Sequence, residues 1–103
     1  MKVRSKGLNN KERDKFLDAL YICASSLKSK KEIKYFIKDF LTESEKIMIG
    51  RRILIVQRLL YRQPNDQIVR EMGVGLDTIY KIQRWLNPEN YKSTVKKLNK
   101  IKN

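Results

Sequence analysis

Apolar residues recur along this chain at intervals of three and four, the period of a helix that buries one face. The first such stripe runs Phe16, Leu17, Leu20, Tyr21, Ala24 and Leu27, and Asn9 or Asn10 stands where a helix cap belongs. Ser29-Lys30-Lys31-Glu32 then has the form of a capping box, in which serine and glutamate satisfy each other's backbone donors. A short second helix carrying Ile33, Phe36, Ile37 and Phe40 should follow. A second box, Thr42-Glu43-Ser44-Glu45, opens the longest apolar segment, Ile47 through Leu60. From Ile53 to Leu60 this third helix is apolar around most of its circumference, more than one small chain usually covers. The pattern therefore predicts a homodimer in which a second protomer covers part of it.

Gln63-Pro64-Asn65 interrupts the pattern, because proline lacks a donor and disfavours helical geometry in the residue before it. A new helix capped by Asn65 is expected to run to Met72 and to end at Gly73, where glycine can take the left-handed conformation. After Gly73-Val74-Gly75, another helix should span Leu76 to Leu86 and close at Asn87-Pro88. Two short helices around a three-residue glycine turn describe a helix-turn-helix, here residues 65–86. Ile68, Val69, Met72, Val74, Leu76, Ile79, Ile82 and Leu86 are its expected inner face. Asp77, Tyr80, Lys81 and Arg84 fall on the opposite side, flanked by Thr78 and Trp85.

That outer face suits the major groove of duplex DNA. Asp77 and Thr78 are short and stand at the helix start, where a side chain can approach base edges, while Lys81 and Arg84 can reach guanine or phosphate. Tyr80 can pack on a thymine methyl or donate to a phosphate. Arg70 and Leu76 complete the candidate DNA-binding set.

Composition sharpens the picture. With 4 glycines and 2 prolines among 103 residues, helices are favoured over a turn-rich sheet, and one all-α domain over residues 1–103 is expected. About six helices fit: residues 1–8 as a flexible arm, 65–86 as the helix-turn-helix and 89–103 as a basic C-terminal segment, helical through Tyr91, Val95, Leu98 and Ile101. The formal net charge of +13 attracts polyanions before any specific contact forms. Lys92, Lys96, Lys97, Lys100 and Lys102 should add affinity for any duplex without choosing a sequence. The rival partner is RNA, in a ribonucleoprotein-associated module, but Phe16, Tyr21, Phe36 and Phe40 fall at core spacing rather than on a stacking surface.

Other classes are not expected. The chain has no histidine and a single cysteine, Cys23, so no catalytic residue, metal site or cofactor is expected. Cys23 reads as a buried thiol in a reducing compartment. The N-terminus has no signal-peptide pattern, and no apolar run reaches the roughly 18 residues of a membrane span, which points to a cytoplasmic protein with no membrane partner.

The segment Leu41 to Leu86 resembles the Trp repressor superfamily. The residues that carry it are Leu41-Thr42-x-x-Glu45, Gly50-x-Arg52-x-x-Ile55-Val56-x-x-Leu59-Leu60 and Glu71-Met72-Gly73-Val74-Gly75-Leu76-x-Thr78-Ile79. The resemblance implies an intertwined homodimer whose two recognition helices enter successive major grooves of a roughly palindromic operator. In tryptophan-responsive members the corepressor is held by residues that correspond to Thr42 and Arg52. Here the remaining wall departs from the family: its second arginine falls on Lys81, its glycine on Ile82 and its serine on Trp85. The pocket of Thr42, Arg52, Lys81, Ile82 and Trp85 is then vestigial, tryptophan is not expected to bind, and the chain resembles the corepressor-independent, orphan branch. Arg52 is expected to pair with a carboxylate such as Glu45.

Overall fold

A computed structural model describes residues 7–98, so the expectations for residues 1–6 of the arm and for Lys100, Ile101 and Lys102 lie outside the described residues. The described residues fold into helices with no strand, in two compact units that divide between Thr42 and Glu43.

The first unit holds α1 (Asn10–Ser25) and α2 (Lys30–Phe40). Asn9 caps α1, its side-chain oxygen accepting from the Glu12 N–H at 2.8 Å while its amide donates to the Glu12 carboxylate. Ser29 caps α2 by accepting from the Glu32 N–H at 3.1 Å. The return bond differs from the expected box: the Glu32 carboxylate accepts from the N–H of Lys28, one residue before the cap, at 2.6 Å. Within this unit no helix residue is buried. Phe16, Tyr21 and Phe40 are exposed rather than core, and Cys23 is exposed as well, because the stripe that carries them has nothing packed over it deep enough to exclude water. Phe36 and Phe40 touch each other, with ring centroids 4.8 Å apart.

The second unit has a core. It comprises α3 (Glu43–Leu60), α4 (Asn65–Met72), α5 (Leu76–Trp85), a 3-10 turn (Pro88–Tyr91) and α6 (Lys92–Val95). Ile55 and Val56 of α3, Ile68 of α4, Ile79 and Ile82 of α5 and Val95 of α6 form one buried cluster, ringed by Leu59, Leu60, Val69, Met72, Val74 and Leu86. The C-terminal segment is therefore more than a basic tail: Val95, 8% exposed, closes the core against α3. Only the second half of α3 is buried. Ile47, Met48, Ile49, Ile53 and Leu54 are exposed on the first half and its middle.

The end of α3 is a Schellman motif. The Gln63 N–H bonds the Arg58 carbonyl and the Arg62 N–H bonds the Leu59 carbonyl, with Arg62 in the left-handed region at φ 61°. An arginine occupies the conformation that glycine adopts most cheaply. Pro64, extended at ψ 143°, then caps α4 in place of Asn65, which is the first residue of the helix; neither supplies a side-chain cap bond to it. Proline suits this position because its missing N–H is one the helix start would leave unpaired anyway.

Candidate nucleic-acid interface

The α4–turn–α5 segment has the geometry that its glycines and apolar residues predict. Gly73 ends α4 at φ 65°, ψ 36°, its N–H returning to the Val69 carbonyl at 3.0 Å. No atom crowds the place where a Cβ would sit on Gly73, so the need for glycine there is conformational rather than steric. Gly75 precedes α5 in extended geometry and offers no side-chain cap, while its carbonyl accepts from the Thr78 N–H at 3.1 Å.

Burial sorts the faces of α5. Ile79 and Ile82 are fully buried, whereas Leu76, Asp77, Tyr80, Lys81, Arg84 and Trp85 are exposed and Thr78 is half-buried. Leu76 thus departs from the expected inner face. It stands at the exposed start of the helix with the candidate DNA-binding residues. On α4, Arg70 is exposed too, and the two helices share one device. Arg70 pairs with Asp66 and Lys81 with Asp77, each at 3.2 Å and each one helical turn apart. Exposed pairs of this kind are weak, so a phosphate can displace the carboxylate at small cost.

Two contacts fix this platform, and neither is apparent in the sequence. Arg58 of α3, 6% exposed, donates from Nη1 to Glu71 at the end of α4 and more distantly, at 3.5 Å, to Gln63 in the connecting turn. The Glu71 carboxylate also accepts from Gln67 at 2.8 Å. The Nε of Arg58 is buried without a hydrogen bond. One buried guanidinium therefore ties the end of α3, the turn and the last turn of α4 together, immediately before the corner that aims α5. The second contact is between Arg52 and Trp85: the guanidinium carbon lies 5.6 Å from the ring centroid, a cation–π contact between α3 and the end of α5. This contact adds to what the sequence led one to expect of Arg52. Ile82 lies in the core and Lys81 on the outer face, while Thr42 directly precedes α3.

Compared with known proteins, the chain matches the model of the Trp repressor protein family over residues 12–99. The chain belongs to the Trp repressor family. That family is one of helix-turn-helix, DNA-binding transcription regulators and is not enzymatic. No curated protein and no solved structure gave a significant match. The match takes in both units, from the first turn of α1 to the end of α6. Among the described residues, no helix is long and apolar enough to cross a membrane, and no cluster of three or more potential ligands could hold a metal ion.

Proposed function

We propose that the chain is a sequence-specific regulator of transcription, a repressor, that binds duplex DNA as a homodimer through α5 without a corepressor. The observation that carries this reading is the division of α5. Ile79 and Ile82 anchor one side in the core, and Asp77, Tyr80, Lys81 and Arg84 are exposed on the other, beside Leu76 and Thr78 at the helix start. Lys81 and Arg84 reach guanine edges or phosphates, Thr78 and Asp77 approach bases at the helix start, and Arg70 on α4 holds a flanking phosphate.

Dimerisation is supported by what a single chain leaves uncovered. The first half of α3 exposes Ile47, Met48 and Ile49, and an open apolar groove of about 520 Å³ runs along Ile49, Ile53, Val56 and Val95. The helices of the first unit bury none of their own residues, so both units carry apolar surface that a partner would cover. In this reading residues 1–103 form one domain that an intertwined second copy completes. Tryptophan is not a ligand, since Trp85 already holds the Arg52 guanidinium that would face a corepressor and Ile82 takes up core volume.

Selection of duplexes from a random pool, followed by a fluorescence-anisotropy titration of the enriched site, tests the proposal. The expected result is a palindromic site bound by two protomers, with an affinity that free tryptophan leaves unchanged. No enrichment, or preference for single-stranded RNA, would overturn it.

A further inference from the structure

Outside the helix-turn-helix, α2 carries a second concentration of charge. A helix advances about 100° per residue, so Lys30, Lys34, Lys38, Lys31 and Tyr35 share one arc of about 140°. Ile33, Phe36, Ile37 and Phe40 fall on the opposite side, and the two acids of the helix, Glu32 and Asp39, fall at the border between the arcs. All four lysines and Tyr35 are exposed, and these five residues line a groove of about 500 Å³ with no carboxylate in its wall. Glu32 is already engaged by the Lys28 N–H. The neighbouring helix shows what an ordinary solvated face looks like: the groove on α1 mixes Lys11 and Lys15 with Glu12, Asp14 and Asp18.

We infer that the lysine face of α2 is a contact surface for the phosphate backbone of duplex DNA, sequence-neutral and additional to α5. The inference rests on the DNA-binding reading above and deepens it. Lysines one turn apart repel one another unless an anion relieves them. Lys30, Lys34 and Lys38 stand about 6 Å apart along the axis and span about 12 Å, over which duplex DNA presents several charges, one per roughly 1.7 Å. Ammonium groups hold phosphates as point charges and read no bases, and the Tyr35 hydroxyl adds a donor in the middle of the row.

The test uses the full chain and two triple variants that each remove three exposed cations: Lys30→Gln/Lys34→Gln/Lys38→Gln on α2, and Lys11→Gln/Arg13→Gln/Lys15→Gln on α1. Each is titrated across a salt series against a duplex holding the selected site and a scrambled duplex of equal length, after circular dichroism has established equal helicity. The α2 variant should show a plot of log affinity against log salt that is shallower by about 2.7 per protomer, three phosphate contacts at about 0.9 each. Its affinity for both duplexes should fall together with their ratio unchanged, and the α1 variant should keep the unsubstituted slope. Equal slopes in the two variants, or an α2 variant that binds like the unsubstituted chain, would overturn the inference while leaving the α5 reading intact. Failure of the unsubstituted chain to bind any duplex would overturn both.

Discussion

The two units of this chain use similar helices to opposite effect. In α1 and α2 the caps are well formed and the apolar stripes are present, yet no side chain is buried. In the second unit Ile55, Ile68, Ile79 and Ile82 are sealed from water around one point. The difference teaches that amphipathic pattern establishes a helix and its inward face, whereas burial needs several faces to converge. The helix-turn-helix has that convergence within one chain, through its steep corner at Gly73 and the return of Val95. In the first unit no such convergence occurs, and its apolar stripes stay open to water.

The largest effect that separates the units should come from Arg58. Arg58→Ala leaves the partly buried Glu71 without its cation and opens a gap beneath the α3–α4 turn, a loss of about 3 to 5 kcal/mol in urea denaturation. A loss below about 1 kcal/mol would mean that the corner is held by apolar packing alone. One residue type then compares the units directly. Ile82→Ala, at a site 1% exposed, should cost about 3 kcal/mol. Ile22→Ala, at a site 68% exposed, should change stability by less than about 0.5 kcal/mol at protein concentrations where the chain is monomeric. If Ile22→Ala costs as much as Ile82→Ala even at high dilution, the first unit has a core of its own and the contrast fails.

A smaller effect concerns the left-handed positions on either side of α4. Gly73→Ala should lose about 1 kcal/mol or slightly more, since a Cβ at φ 65° is strained although the space is open. Arg62→Gly should gain about 1 kcal/mol, because it places glycine where φ is 61°. Thermal melts of the two variants in opposite directions would sharpen the account, and equal shifts would break it.

Much of this fold is legible in the amino-acid sequence, and the parts that are not share a cause. The Asn9 and Ser29 caps, the Gly73 stop and the inward Ile68, Ile79 and Ile82 depend on neighbours within four residues, so local pattern reveals them. The Arg58–Glu71 pair joins residues thirteen apart in sequence across a turn, and a lone arginine in an apolar helix does not name its partner. Val95 sits in a lysine-rich segment whose composition masks one buried contact. Cys23 and Phe16 lie on a regular apolar stripe, and periodicity says which way they face without saying whether anything covers them. Residue type assigns Leu76 inward, but at about 100° per residue it falls about 40° from Tyr80 and about 60° from Ile79, on the border of the outer face, and it is exposed.

The central claim is that the outer face of α5 chooses the DNA sequence, and the ratio of affinities for the selected and scrambled duplexes measures it most directly. In the Lys81→Ala/Arg84→Ala variant that ratio should collapse toward one while the fold and weak general binding persist, each lost base contact being worth about 1 to 3 kcal/mol of discrimination. A variant that binds both duplexes more weakly but keeps the full ratio would contradict the claim, and would leave Lys81 and Arg84 as phosphate contacts with the sequence read elsewhere.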